Sequence, residues 1–238
     1  WARIIAQSVY YFYCYFLVED DNQPINFSVP TGNFGDVYAG YLAKKLGLPI
    51  NKLIVATNQN DILHRAISKG KYEAEHVSET ISPSMDIQIA SNFERLIYDL
   101  NSHDSSQTLD DMKNIKQNGK YTIDDEKLKK INQDFLSARM SEQETLDVIK
   151  NIYEKFNMVL DPHTAIGYGA FDKHDLKGNN IVLATAHPCK FPDAILKAIN
   201  LKSDLPNELK FILDEKENYG IIENNLKEIK QYILGKIK

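Results

Sequence analysis

The stretch INFSVPTGNFGDVYAGYLAKKLGLPINKLIVAT, residues 25–57, decides the fold of this chain. Its apolar ends, 25–30 and 52–57, have the composition of short buried strands. Between them we predict a helix at 37–46, because Asp36 precedes it, two lysines occupy its last turn and a glycine follows its end. Strand, loop, helix and strand within about 30 residues form a βαβ unit, which implies a right-handed crossover. The sequence therefore predicts an α/β protein whose open, twisted, mostly parallel sheet carries helices on both faces.

The rest of the chain predicts more helices than strands. Residues 2–18 are apolar and aromatic but include Arg3, and they fit neither a signal peptide nor a membrane span, so we predict a buried helix. Residues 102–158 are mostly polar, with apolar positions at helical spacing, which indicates a helical insertion or subdomain. The other predicted elements are helices at 61–69 and 92–100, a strand at 180–186, and mostly helix from 191 onward. We expect three segments: 1–101 as part of an α/β domain, 102–160 as the helical insertion, and 161–238 as the return to that domain with C-terminal helices.

Composition and charge bear on the partners of the chain and on its location. Of the 238 residues, 43% are hydrophobic and 26% are charged, which is ordinary for a globular protein. The net charge of -5 comes without a basic stripe, so we expect no nucleic-acid partner. Cys14 and Cys189 lie far apart and match no metal or redox spacing, which favours a reducing, cytoplasmic location. The chain begins at Trp1 and not at Met, so we expect that an upstream segment has been removed.

The loop Thr31–Asp36 carries the clearest chemical pattern. Two glycines three positions apart let the backbone turn sharply, so that several N–H groups and a helix N-terminus face one concavity suited to a phosphate. A tight turn without any ligand remains the alternative. A Walker loop needs Lys after its last glycine, where Asp36 stands, and a dinucleotide loop needs G-x-G-x-x-G, where only G-x-x-G is present. A single small phosphate, such as that of pyridoxal phosphate, fits this short loop better.

A second pattern follows the predicted strand at 180–186. Thr185 lies at the carboxyl end of that strand, where open α/β sheets bind ligands, and its hydroxyl could face the same crevice as the glycine loop. A neutral hydroxyl opposite a pyridine nitrogen would leave that nitrogen unprotonated; the alternative is a Thr that caps the next turn. Asp161, His163 and His187 match no metal-ligand spacing, so we predict no metal site and structural roles for these residues. No serine lies in a G-x-S-x-G elbow of a hydrolase.

Seven strings in this sequence resemble the threonine synthase family, in its longer branch found in many bacteria and fungi. They occur in the family's order and cover nearly the whole chain. The strings are WARI (1–4), VPTGNFGD (29–36), LIVATN (53–58), SPSMD (82–86), SNFER (91–95), DPHTA (161–165) and ATAHP (184–188).

The resemblance implies a pyridoxal-phosphate enzyme of fold type II, similar to the tryptophan synthase beta chain. Such a protein is a cytoplasmic lyase, expected as a monomer, that converts O-phospho-L-homoserine and water to L-threonine and phosphate in threonine biosynthesis. Thr185 would face the pyridine nitrogen, and Arg3 would grip the substrate's phosphate, which suits a bidentate guanidinium. The resemblance places the cofactor phosphate on the backbone of Gly32, Asn33, Phe34 and Gly35, and it makes Ser91, Asn92 and Arg95 further candidates for lining the site.

One departure from the family concerns catalysis. The family's Schiff-base lysine, and the asparagine beside the cofactor's ring hydroxyl, belong to a segment upstream of the WARI string, where this chain begins. Lys190 matches nothing in the catalytic motif, so we reject it as that lysine. We therefore expect a truncated threonine synthase that is inactive alone. The alternative is a non-catalytic α/β module that binds a phosphometabolite.

Overall fold

The structure is a computed structural model that describes residues 1–18 and 23–237. The chain divides into two compact units, Trp1–Ser203 and Asp204–Lys238. The second unit contains a 3-10 helix at Asn207–Leu213 and an α-helix at Leu226–Lys236. The first unit contains, in chain order, α1 (Ala2–Val18), β1 (Ile25–Pro30), α2 (Gly35–Lys45), β2 (Ile50–Thr57), α3 (Ile62–Lys69), β3 (Lys71–Glu73), α4 (Phe93–Leu100), α5 (Ser105–Asn118), β4 (Lys120–Thr122), α6 (Asp125–Asp134), β5 (Phe135–Arg139), α7 (Glu142–Phe156), α8 (Pro162–Asp172), β6 (Asn179–Val182) and α9 (Pro192–Ile199).

The main sheet has four parallel strands in the order β5-β2-β1-β6. All six residues of β1 are buried, because this strand is central and both of its faces are covered. On one face Phe27 and Leu53 pack with α1, α2, α3 and α4. On the other, Ile54 packs with Ile166 of α8. The predicted βαβ unit and the helices on both faces of a parallel sheet are confirmed.

Residues 102–160 differ from the predicted helical insertion. They form three helices, but they also contain β4 and β5. Strand β5 pairs with β2 from Leu53 opposite Phe135 to Thr57 opposite Arg139, so it is an edge strand of the main sheet. Five residues between two helices have too little periodicity to indicate a strand. Pairing with β2 decides their conformation, and the purely helical prediction for this segment is wrong there.

Helix α1 is buried along one stripe only. Ile4, Ser8 and Tyr11 face the protein, and the Tyr11 ring packs directly over Gly40 of α2, where a side chain would meet it. On the opposite side Tyr13 is 64% and Phe16 65% exposed. The predicted helix is therefore present, and within the described residues it is buried along one face only.

Strand β6 is shorter than predicted. It pairs with β1 from Asn179 to Val182, and the N–H of Leu183 still donates to the Ser28 carbonyl at 3.0 Å. Beyond that bond the chain leaves the sheet. Residues 184–186, predicted as strand, form a loop at the carboxyl edge of the sheet.

Candidate active site

A cavity of about 1070 Å³ opens beyond the carboxyl ends of β1 and β6. Open α/β sheets bind ligands at this edge. The loop after β1, the first turns of α1, the turn 82–85 and the loop after β6 all contribute to its wall. The structure brings every residue predicted for the site to this cavity: Arg3, Gly32, Asn33, Phe34, Gly35, Ser91, Asn92, Arg95 and Thr185.

The loop between β1 and α2 is shaped by close backbone contact at Gly32. A Cβ built on Gly32 would collide with the carbonyl oxygen of Ser84, so only glycine fits there. Phe34 adopts a left-handed conformation, with φ of 63°, although it is not glycine. Its ring is fully buried, with its centroid 5.1 Å from Phe93 and 5.7 Å from Phe135. Burial of the ring offsets the cost of this left-handed backbone conformation. The conformation turns the loop toward the cavity.

The backbone N–H groups of this loop are free to bind an anion. The first N–H groups of a helix have no partner within the helix, and the helix dipole places partial positive charge there. Within the described parts of the chain, the N–H groups of residues 32–36 meet no protein acceptor. The loop is anchored at its start, because Thr31 donates its N–H to the Ala56 carbonyl at 2.8 Å and its hydroxyl to the Val29 carbonyl at 2.6 Å. We name residues 32–36 the phosphate cradle.

Ser91 and Asn92 hold the cradle from the side. The Asn92 backbone N–H and its side-chain amide both donate to the Asn33 carbonyl at 3.1 Å. The N–H of Ser91 donates to the Asn33 side-chain oxygen at 3.3 Å. The side-chain oxygen of Asn92 in turn accepts from Arg95 Nε at 3.1 Å. These residues line the cavity as predicted, and their hydrogen bonds position the cradle.

The charge around the cavity is mostly positive. Arg3 is exposed in the first turn of α1, and within the described residues it makes no ion pair. The Arg95 guanidinium lies 4.4 Å from the centroid of the Trp1 ring, and Lys190 also lines the cavity. Asp36 is the sole carboxylate on the cavity wall in the described ranges. The arrangement suits a ligand with more than one anionic group.

Asp36 is an unusual carboxyl group for a helix start. Burial raises its pKa to about 6, although the hydrogen bond from Tyr11 and the charge of Arg3 act in the opposite direction. The Tyr11 hydroxyl donates to the Asp36 carbonyl at 2.8 Å and lies 3.5 Å from its carboxylate oxygen.

Three residues on the cavity wall were not predicted as site residues from the sequence: Asp36, His163 and Lys190. The sequence pattern marks Asp36 only as a residue at the start of a helix. The position of Asp36 next to the glycines and of Lys190 after the ATAHP string were the available signals.

Thr185 presents a free hydroxyl to the cavity. Its backbone N–H donates to Thr164 Oγ1 at 3.3 Å, and within the described residues its side chain makes no hydrogen bond. The turn that follows, a 3-10 helix at Pro188–Lys190, is capped by His187, whose Nδ1 accepts from the Cys189 N–H at 3.2 Å. His187, and not Thr185, therefore caps this turn.

Two classes of site are not formed by the described residues. His163 hydrogen-bonds to Asp161, and across 1–18 and 23–237 no three His, Cys, Asp or Glu side chains come together as a metal site. None of the helices in those ranges is both long and apolar enough to cross a membrane.

Solved structures define the class of the fold. A pyridoxal-phosphate-bound threonine synthase from Brucella melitensis superposes with a TM-score of 0.92 at 43% identity, and covers 98% of this chain and 50% of its own. Threonine synthase from yeast superposes with a TM-score of 0.87 at 40% identity, covering 98% of this chain and 52% of its own. The parallel sheet with the glycine loop at its carboxyl edge is thus the fold of the type II pyridoxal-phosphate enzymes.

Sequence comparisons then identify the family. Residues 164–233 match the family model described as threonine synthase, C-terminal. The curated threonine synthase of Pseudomonas aeruginosa is 40% identical over 236 residues, which are 98% of this chain and 50% of that protein. The chain belongs to the threonine synthase family, and it spans about half the length of the curated relatives it matches.

Proposed function

We propose that this cavity holds pyridoxal phosphate. The backbone N–H groups of Gly32, Asn33, Phe34 and Gly35 would bind its phosphate, and the Thr185 hydroxyl would face its ring nitrogen. The free N–H groups of the cradle support the first assignment, because a phosphate oxygen supplies the acceptors they lack. The second assignment, of Thr185 to the ring nitrogen, is supported by its hydroxyl, because His187 caps the next turn and Thr185 does not.

Different residues of the chain would bind the cofactor and the substrate. When bound, pyridoxal phosphate supplies an electron sink for carbanions next to the amino-acid nitrogen. Thr185, a neutral group, leaves the ring nitrogen without a fixed negative partner. Arg3 would bind the phosphate of the substrate through two parallel N–H donors, with Lys190 and Arg95 adding positive charge nearby.

For the whole protein we propose the conversion of O-phospho-L-homoserine and water to L-threonine and phosphate. The observation that carries this proposal is the presence, in one cavity, of a backbone phosphate cradle and a separate set of cationic side chains. A cofactor and a substrate that each carry a phosphate need two such places. Because the chain spans about half the length of its curated relatives, activity is proposed for the whole protein and not for this chain alone.

A binding experiment on the chain tests the cofactor site. Pyridoxine 5'-phosphate is a suitable probe, because it lacks the aldehyde that would react with surface lysines. Isothermal titration calorimetry should detect its binding, with pyridoxine, which lacks the phosphate, at least about tenfold weaker. Equal affinity for the two compounds would contradict a phosphate cradle.

A chimaera tests the reaction. Joining the first half of the Pseudomonas aeruginosa relative to this chain should restore phosphate release from O-phospho-L-homoserine. In that chimaera Arg3→Ala should raise KM for the substrate by about 100-fold, a loss typical of a charge-assisted bidentate pair, and leave cofactor affinity unchanged. Arg3→Lys keeps the charge and should recover part of the loss. Binding of the probe without any turnover in the chimaera would favour the non-catalytic phosphometabolite module.

We further propose that the protein is a cytoplasmic monomer. Cys14 and Cys189 are free thiols, which suits a reducing compartment. Sedimentation of the full-length protein would test the oligomeric state, and a dimer would overturn it.

A further inference from the structure

Helix α8 begins with a buried group of polar residues that exceeds what a helix cap needs. Asp161 is the N-cap, and its carboxylate accepts from the backbone N–H groups of His163 at 2.9 Å and Thr164 at 3.4 Å. The same carboxylate also accepts from His163 Nδ1 at 3.0 Å and from the Thr164 hydroxyl. The three residues are only 1%, 4% and 6% exposed. Capping uses the carboxylate and two backbone groups; it does not require either side-chain bond.

Each of the two side chains reaches a different wall of the cavity. His163 Nε2 accepts the backbone N–H of Ser84 at 3.3 Å, and the Ser84 carbonyl lies directly against Gly32 of the phosphate cradle. Thr164 Oγ1 accepts the backbone N–H of Thr185 at 3.3 Å. We call the side of the cavity formed by residues 32–36 the cradle wall and the side formed by Thr185 the Thr185 wall. The Asp161 carboxylate is therefore connected to the cradle wall through His163 and to the Thr185 wall through Thr164.

The hydrogen bonds of this group form two chains, and in both chains the donors point toward the Asp161 carboxylate. Because Ser84 donates to Nε2 of His163, that nitrogen has no proton, and Nδ1 carries the hydrogen that goes to Asp161. The Thr164 hydroxyl likewise donates to Asp161, which leaves its lone pair for the Thr185 N–H. Burial raises the pKa of Asp161, but the hydrogen bonds from His163 and Thr164 outweigh burial, so its pKa lies below the usual value. An ionised Asp161 is the acceptor on which both connections depend.

We propose that Asp161, His163 and Thr164 are positioning residues that set the separation between the phosphate cradle and Thr185. This inference rests on the cofactor site proposed above. Pyridoxal phosphate joins its phosphate to a rigid pyridine ring through one short methylene arm, so the distance from phosphate to ring nitrogen varies over a narrow range. A site that binds both ends must keep its two walls within that range. The segments that form these walls are remote in the chain, and α8 provides a common anchor for them.

Substitutions at Thr164 test the connection to the Thr185 wall. Thr164→Val removes the hydroxyl and keeps the shape, whereas Thr164→Ser keeps the hydroxyl and serves as the matched control. Titrations of the whole chain would use pyridoxine 5'-phosphate, which spans both walls, and inorganic phosphate, which has no ring nitrogen to face Thr185. We expect Thr164→Val to weaken the first ligand about tenfold, because it removes the buried hydrogen bond that holds Thr185, and the second by less than about twofold. Thr164→Ser should resemble the wild type for both ligands.

Substitutions at His163 test the connection to the cradle wall without any ligand. His163→Gln can still offer an acceptor near the position of Nε2, and His163→Asn offers a group only near Nδ1. Amide hydrogen exchange at Ser84 should therefore quicken about tenfold in the Asn variant and stay close to wild type in the Gln variant. Exchange at Thr185 should quicken in Thr164→Val and not in Thr164→Ser.

Three results separate the possible failures. If Thr164→Val weakened both ligands equally, or if Thr164→Ser were as weak as Thr164→Val, the residue would act through packing and the inference would be overturned. Unchanged exchange at Ser84 in His163→Asn and at Thr185 in Thr164→Val would also overturn it. A wild-type chain that bound neither ligand would instead refute the proposed cofactor site, and the exchange rates would still decide whether α8 holds the two walls.

Discussion

Replacing Gly32 with alanine is the most direct test of how the cradle is built. The added Cβ would overlap the Ser84 carbonyl oxygen, and the next atoms, Ser84 C and Met85 Cα, lie at 3.4 and 3.5 Å. All three are backbone atoms, so no side chain can rotate away. The Met85 N–H is bound to the Ser82 carbonyl at 2.9 Å and the Ser84 N–H to His163 at 3.3 Å, so the opposing turn is held in place.

The size of the effect follows from that rigidity. Inserting a methyl group into a packed backbone contact costs about 1–3 kcal/mol of unfolding free energy. With a urea m value of about 2 kcal/mol per M, the midpoint of unfolding should fall by about 0.5–1.5 M. Affinity for pyridoxine 5'-phosphate should fall as well, because the cradle N–H groups move when the two backbones separate.

Gly35→Ala is the matched control in the same loop. Its added Cβ would lie 3.4 Å from Asn92 Nδ2 and 3.8 Å from Gln7 Oε1, which are ordinary contacts. Since Gly35 is the first residue of α2, alanine should leave stability unchanged or raise it by up to about 1 kcal/mol. Urea titrations followed by circular dichroism would compare the two variants. A midpoint for Gly32→Ala equal to that of the wild type, or a Gly35→Ala variant as unstable as Gly32→Ala, would refute the close-approach argument.

Three further predictions concern stability. The pKa of Asp36 is raised from 3.8 to about 6 in the folded protein, so the unfolding free energy should fall by up to about 3 kcal/mol as pH rises from 4 to 7, and Asp36→Asn should remove this decline in urea titrations across that range. Gly40→Ala should lower the urea midpoint by the equivalent of about 1–3 kcal/mol, because its Cβ would meet the buried Tyr11 ring; a midpoint unchanged from wild type would contradict the packing described for α1. Ser141→Ala should cost about 1 kcal/mol in the same assay, since it breaks the capping box with Glu144, and Ser141→Thr, which keeps the hydroxyl, should cost much less.

Local patterns predicted the part of the fold that depends on neighbouring residues. The βαβ unit at 25–57 follows from apolar runs and helix end signals that lie within a few residues of each other, and strands β1 and β2 and helix α2 are close to the predicted bounds. Strand β5 could not be predicted in the same way. Its residues extend because β2 offers a free edge, and that edge is about 80 positions earlier in the chain.

The candidate site shows the same division. The glycine spacing and the family strings predicted nine of the residues that line the cavity, because both are read directly from the sequence. Whether Thr185 caps a turn or faces the cavity depended on His187, which takes the capping role in the folded chain. The cationic contribution of Lys190 also became visible only when the loop after β6 was placed beside the cradle.

By itself, the sequence determined the glycine cradle, its place between a strand and a helix, and membership of a family that uses such loops. These features depend on residue type and short spacing, and short spacing is preserved in any fold of the chain. Only the tertiary structure decided that Gly32 must be glycine because of Ser84, and that Asp161 connects the two walls of the cavity. The physical reason is that steric overlap and hydrogen bonding act over a few ångströms in space, between segments that are remote in the chain.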